Sequence, residues 1–268
     1  MDTPHTVWLP AWDASYAANT EHHRRYDQRF LSTLPLRPTD RVLDLGCGAG
    51  DLTATVAALV PDGHVVGVDP QSSLLAEARS RAGANQTFVE ASAQHLADAL
   101  PGDASFDVIM SQSVLHWVPR GDHPEILRQC RRLLRSGGVL RIECGGGDNV
   151  REVVAFLDDV ADTIAGDGSP SAPWTFLHAG EYLDLLLDAG FTVADGFVHT
   201  VAQRRPFDRE GVLGWITSQA VQAYEIDLPA DLRAPFRDAV VARIDELRRP
   251  DGSYDLGFVR LDLLAFTP

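Results

Sequence analysis

The sequence of 268 residues predicts an α/β fold built on a doubly wound, mostly parallel sheet, and three observations carry that prediction. The first is Val42-Leu43-Asp44-Leu45-Gly46-Cys47-Gly48-Ala49-Gly50, an apolar run that meets glycines at alternate positions and then a helical pattern from Asp51. The second is the alternation of short apolar runs with helical periodicity through Cys144, the signature of repeated βαβ units. The third is the end of the chain, where Asp251-Gly252 turns into the long apolar-rich stretch Tyr254–Phe266, which reads as an antiparallel return strand.

Taken in order, the apolar runs predict strands at Arg41–Leu45, His64–Asp69, Thr87–Glu90, Ser105–Ser111, Val139–Glu143, Phe191–Val201 and Tyr254–Phe266, a seven-stranded sheet. Helices are predicted from Asp51 to Leu59 and from Leu74 to Arg81. A third runs from Asp122 to Arg135, with Ile126, Leu127, Cys130, Leu133 and Leu134 on one stripe and Gly137-Gly138 ending it. Further helical patterns cover Val150–Ile164, Glu181–Ala189, Phe207–Tyr224 and Asp231–Leu247. The organisation expected is an N-terminal helical lid at 1–34, a core at 35–148 and a helical insertion at 149–180. The rest of the core then fills 181–268, interrupted by a helical cap at 204–250.

Composition narrows the function. A net charge of −15 disfavours general nucleic-acid binding, because nothing supplies a phosphate-neutralising surface. All 23 basic residues are arginine, which excludes lysine chemistry such as a Schiff base. Three well-separated cysteines make neither a disulfide framework nor a metal cluster. No apolar run is long enough for a membrane helix and no signal peptide is recognised, so the expectation is a cytoplasmic protein.

The glycine stretch is a ligand cradle: glycines let a backbone approach a ligand, and a helix start offers unpaired N–H groups. Its spacing is Gly-x-Gly-x-Gly; a dinucleotide fingerprint would need its third glycine at Asp51. Asp69 ends the next strand, where a carboxylate can accept both ribose hydroxyls or else cap the helix that follows Pro70.

The glycine motif, SFDVIMSQSVLHWV and the Leu-Leu-Arg-Ser-Gly-Gly turn together resemble the class I S-adenosylmethionine-dependent methyltransferases over about residues 40–144. The LHWV motif, the helical insertion and the closing GSYDLGFVRLDLLAF are similar to trans-aconitate methyltransferases and related small-molecule O- or N-methyltransferases. The resemblance implies the Rossmann-like methyltransferase fold and S-adenosylmethionine as cofactor, leaving S-adenosylhomocysteine.

It also implies roles for individual residues. The methionine part would lie along Gly46, Cys47 and Gly48, with Asp44 beneath it, either arranging the ammonium or an ordered water or standing as a capped structural carboxylate, and Gly50 closing the turn. Asp69 and Pro70 would hold the ribose. Ser92 and Ala93 would meet the adenine, although the family often has aspartate where Ser92 stands. Ser111 and the turn after it would border the methyl. Tyr16 and Tyr26 belong either to a lid over the cofactor or to simple packing of an N-terminal helix. Trp12, His116, Trp117, Trp174 and Trp215 would wall the acceptor pocket. His116 is read either as a general base for a hydroxyl acceptor or as a wall residue; a carboxylate acceptor needs no base. Arg204, Arg205 and Arg260 could grip an acidic substrate or be solvated. Two other functions compete: a non-methylating cyclisation or rearrangement on the same cofactor, and a regulatory binder.

Overall fold

The computed structural model describes residues 29–194 and 197–268. The proposed lid residues Trp12, Tyr16 and Tyr26 lie outside the described residues. Seven strands form one sheet in the order β3-β2-β1-β4-β5-β7-β6. They are β1 (Arg41–Leu45), β2 (His64–Asp69), β3 (Gln86–Glu90), β4 (Phe106–Gln112), β5 (Leu134–Gly145), β6 (Val198–Phe207) and β7 (Tyr254–Phe266). The first five run parallel, and β7 lies antiparallel to β5 from Val139↔Phe266 to Gly145↔Arg260. Described helices are α1 (Asp51–Leu59), α2 (Ser72–Ser80), a short turn at Leu96–Ala99, α3 (His123–Leu133), α4 (Arg151–Ala165), α5 (Ala179–Asp188), α6 (Arg209–Ile216) and α7 (Ala230–Arg243).

The chain divides into two compact units. The sheet unit comprises the described residues up to Gly147, Trp174–Val201 and Arg260–Pro268; the second comprises Asp148–Pro173 and Ala202–Val259. In the sheet unit, the pleat sends alternate side chains to opposite faces. Leu43, Ile109, Leu140, Ile142, Leu261 and Leu263 pack on Ile126, Leu127 and Cys130 of α3 and on Tyr182 and Leu186 of α5. Val42, Val108, Met110 and Val139 meet Val56 and Ala57 of α1, together with Phe30 and Leu34. Both faces are therefore covered, which is why the central strands read as near-continuous apolar runs. Each such side chain, fully buried, contributes about 1.5–3 kcal/mol.

In the second unit, Val153, Phe156, Leu157 and Val160 of α4 are buried, as are Val212 and Ile216 of α6 and Phe236 and Val240 of α7. Tyr224 stacks on Phe236 at 5.8 Å and donates its hydroxyl to Asp158 at 2.6 Å.

Three elements differ from the sequence reading. The sixth strand begins at Val198, not Phe191; residues 191–194 make only an isolated bridge, Thr192↔Phe266. The strand then continues to Phe207 as an edge, carrying Arg204, Arg205 and Pro206, residues that edges tolerate. The helix expected over 207–224 is broken by a π-turn at Thr217–Val221. β5 starts at Leu134, because a bulge between Phe106 and Val108 in its pairing with β4 absorbs the Gly137-Gly138 turn.

Candidate cofactor and acceptor site

The glycine turn hangs from the C-terminal ends of β1 and β2, where open α/β sheets place ligands. The N–H groups of Gly46 and Cys47 both donate to the Val68 carbonyl, at 2.7 and 3.1 Å. Gly46, Gly48 and Gly50 all have positive φ, at 81°, 54° and 84°. The reasons for glycine differ along the turn. A Cβ on Gly46 would stand 2.1 Å from Val114 Cγ2, so the segment after β4 packs directly on this glycine. A Cβ on Gly48 would meet only Leu74 Cδ1, at 3.9 Å, so the turn stays open there.

Two buried carboxylates brace the turn. Asp69 Oδ2 accepts the Gly48 N–H and Oδ1 accepts the Gln71 N–H, each at 2.9 Å. One side chain thus ties the glycine turn to the residue preceding α2, so the helix-entry role is present. Asp44 Oδ2 accepts the Thr53 hydroxyl of α1 at 2.6 Å, a partner that the sequence reading missed. The Cys47 thiol is buried, and its pKa is pushed far up by burial and then by the charges of Asp44 and Asp69, so it is no nucleophile.

Pro70 is exposed at the end of β2, Ser92 is half-buried, and Ala93 opens a short 3-10 turn with its side chain buried. Ser111 is buried and spends its hydroxyl on the Leu45 carbonyl at 2.9 Å, joining the ends of β4 and β1.

Beyond β4 the chain is forced through Ser113 at φ 60° into a 3-10 turn, Leu115–Trp117. The backbone N–H of Gly145 donates to His116 Nδ1 at 3.3 Å. With Nδ1 accepting, the neutral ring carries its proton on Nε2. The His116 carbonyl accepts the Thr175 N–H at 2.8 Å, and Gly146 and Leu177 form a parallel bridge. Together these bring Trp174-Thr175-Phe176 alongside His116-Trp117, and the ring pairs His116–Trp117, Trp117–Trp174, Trp174–Phe176 and His116–Phe176 all pack. Phe176 was not singled out among the pocket residues; its i+2 spacing from Trp174 on an extended segment was the available signal.

Two further supports were missed. Arg260 donates through Nε to Glu143 at 3.0 Å and through Nη2 to the Ser113 hydroxyl at 2.7 Å, both side chains being largely buried. Arg260 is thus a largely buried, ion-paired cation. On the other sheet face, buried His123 bridges Val118 and Tyr182, with each ring nitrogen 3.2 Å from its partner. That bridge fixes the end of the His116 turn.

Trp215 belongs to the second unit, where it packs edge-on against Phe258 at 5.2 Å, and its indole N–H has no hydrogen-bond partner among the described residues. Arg204, in the same unit, is held by Asp255 and Glu152, and Arg205 lies over the Phe258 ring at 4.2 Å. No His/Cys/Asp/Glu group that could hold a metal exists among the described residues, and none of their helices is long and apolar enough to cross a membrane.

An open glycine turn at the C-terminal ends of β1 and β2 fits a nucleoside-type cofactor such as S-adenosylmethionine. Comparison with known proteins points the same way. Residues 42–138 match a family model described as a methyltransferase domain. The trans-aconitate 2-methyltransferase of Variovorax paradoxus is 31% identical, over 96% of this chain and 97% of its own; that of Rhodococcus jostii is 31% identical over 95% and 98%. Among solved structures, the YcgJ protein of Bacillus subtilis shares the fold at a TM-score of 0.59 and 17% identity, covering 91% of this chain and 99% of its own. An S-adenosylmethionine-dependent methyltransferase of Mesorhizobium loti matches at 0.50 and 18% identity, covering 89% and 96%. The chain belongs to the S-adenosylmethionine-dependent methyltransferases, in the family of the trans-aconitate 2-methyltransferases.

Proposed function

We propose that the methyl acceptor is a small carboxylic acid and that the methyl goes to a carboxylate oxygen. The observation that carries this reading is the Gly145 N–H donated to His116 Nδ1. A neutral ring so held has Nδ1 already accepting a backbone N–H, so that nitrogen does not serve as a base for a hydroxyl acceptor, and a carboxylate acceptor needs none. The relatives' name, trans-aconitate 2-methyltransferase, is also that of an enzyme acting on a carboxylic acid.

When bound, S-adenosylmethionine supplies a methyl already activated on a sulfonium. The chain's task is alignment, and holding two reactants in line lowers a barrier by on the order of 7–11 kcal/mol. In this reading Asp69 and the glycine turn hold the cofactor's ribose and tail. His116 and the rings around it border the acceptor and exclude water. No proton has to move, because a carboxylate is already a nucleophile at neutral pH.

The test is to incubate the protein with S-adenosylmethionine and a panel of carboxylic acids, following S-adenosylhomocysteine release and the product's stability to mild alkali. A carboxyl methyl ester is hydrolysed and returns methanol. An alkali-stable product, or no turnover with any acid, would refute the reading.

A further inference from the structure

We infer that Ser113 and Arg260 are positioning residues for the cofactor. The Arg260 guanidinium on the last strand holds Ser113 in a left-handed backbone, and that conformation seats Val114 against the glycine turn. This role holds for any methyl acceptor, and it rests on the placing of the cofactor at the glycine turn in the reading above.

Ser113 has φ 60°. In that region the Cβ of an L residue crowds the following carbonyl, so the conformation persists only where the surroundings over-determine it. Two bonds do so here. The Ser113 N–H donates to the Glu143 carbonyl at 2.7 Å, and its hydroxyl accepts from Arg260 Nη2 at 2.7 Å. The guanidinium is itself held, since Arg260 Nε donates to Glu143 Oε1 at 3.0 Å while the Gln112 amide donates to Oε2 at 3.4 Å. Glu143 therefore fixes Ser113 twice, directly through its carbonyl and indirectly through the cation on its carboxylate.

The strand ladder gives this clamp its register. Arg260 of β7 stands opposite Gly145 of β5, and the Gly145 N–H donates to His116 Nδ1 at 3.3 Å. One cross-strand pair thus holds the turn at two points, Ser113 and His116. Between them lies Val114, whose methyl groups occupy the place of a Gly46 side chain: a Cβ there would stand 2.1 Å from Cγ2 and 2.6 Å from Cγ1. A Ser113 that relaxes out of the left-handed region redirects the chain at Val114 and opens this packing. The contacts run without a break from Arg260 through Ser113 and Val114 to Gly46. The clamp therefore sets the fraction of molecules whose glycine turn is backed for the ligand, and apparent affinity falls in proportion to that fraction.

The test titrates the full chain with S-adenosylhomocysteine by calorimetry, as wild type, Ser113→Ala, Ser113→Gly and Arg260→Lys. Ser113→Ala removes the hydroxyl and keeps the strain. Ser113→Gly removes both, because glycine takes positive φ without a steric cost. Kd should weaken about tenfold in Ser113→Ala, and stay within about threefold of the wild type in Ser113→Gly. Arg260→Lys keeps a charge beside Glu143 but loses the guanidinium fork, so Kd should weaken there too; in the Ser113→Gly background it should add no further loss. That variant probes the same bond from its other end if Ser113→Ala fails to fold. Equal weakening in Ser113→Ala and Ser113→Gly would overturn the inference, because the hydroxyl and not the backbone conformation would then matter. An unchanged Kd in both Ser113→Ala and Arg260→Lys, even with a lower melting temperature, would also overturn it, leaving the clamp a brace of the fold alone. Weaker binding in Asp69→Ala alongside that result would leave the cofactor's place at the glycine turn standing.

Discussion

Replacing Asp69 by Ala separates two roles that the same carboxylate holds. In the folded chain it accepts two backbone N–H groups at 2.9 Å, one from Gly48 and one from Gln71, and it is only 7% exposed. A hydrogen bond to a charged group contributes about 1.5–3 kcal/mol. Gly48 and Gln71 are themselves half-buried, so water can re-solvate both N–H groups and the lower figure applies to each. The loss expected without ligand is therefore about 3 kcal/mol of stability, read from a urea midpoint at unchanged slope. If Asp69 also receives the ribose hydroxyls, S-adenosylhomocysteine binding should weaken by a further ~1.5–3 kcal/mol, about 10- to 100-fold in Kd by calorimetry. A 2′-deoxyribose analogue isolates the ligand contribution: the wild-type chain should bind it less well, and the variant should lose less on that analogue than on the natural ligand. Asp69→Asn, which keeps one acceptor, should fall between. An equal loss on both ligands would refute the ribose contact and leave Asp69 as the brace of the turn. Unchanged affinity for S-adenosylhomocysteine would remove it from the site.

Gly46→Ala should lose about 1–2 kcal/mol to left-handed backbone strain alone, and more from the Val114 clash; adding Val114→Ala should restore part of the urea midpoint. Arg260→Ala leaves the Glu143 charge buried with only the Gln112 amide as a donor, so a loss of about 3–5 kcal/mol is expected, whereas the double change Arg260→Gln with Glu143→Gln should recover most of it; additive losses would show that the pair is not coupled. Burial lowers the pKa of His123 below its ordinary 6.5. The unfolded chain therefore binds the proton first, and this stability is fully present above that value and is lost as pH falls below it toward the folded pKa. Melting temperature should fall below about pH 6.5 in the wild type and less steeply in His123→Asn, whose side chain cannot be protonated there; parallel curves would refute it.

What the sequence determined is mostly local in origin. β1, β2 and β7 begin and end where their residues say, because apolar runs bounded by glycine, proline and aspartate leave one choice of strand and turn. The glycine spacing and the acids at Asp44 and Asp69 were readable for the same reason, since a cradle at a strand end is built from contiguous residues. The sixth strand was not readable. Its apolar start, Phe191, packs on the core without joining a ladder, and its paired part is an arginine-bearing edge with weak hydrophobic pattern. The turn after β4 was legible as a motif, but its chemistry was not. Which nitrogen of His116 holds the proton is decided by an N–H 29 residues away, and the rings facing it arrive from residues 174–176. Arg260 reaches Ser113 across 147 residues, and only the pairing of β5 with β7 brings them together. Periodicity records what each residue buries, while the partners of a buried polar group depend on which strands become neighbours, and that was settled by tertiary packing alone.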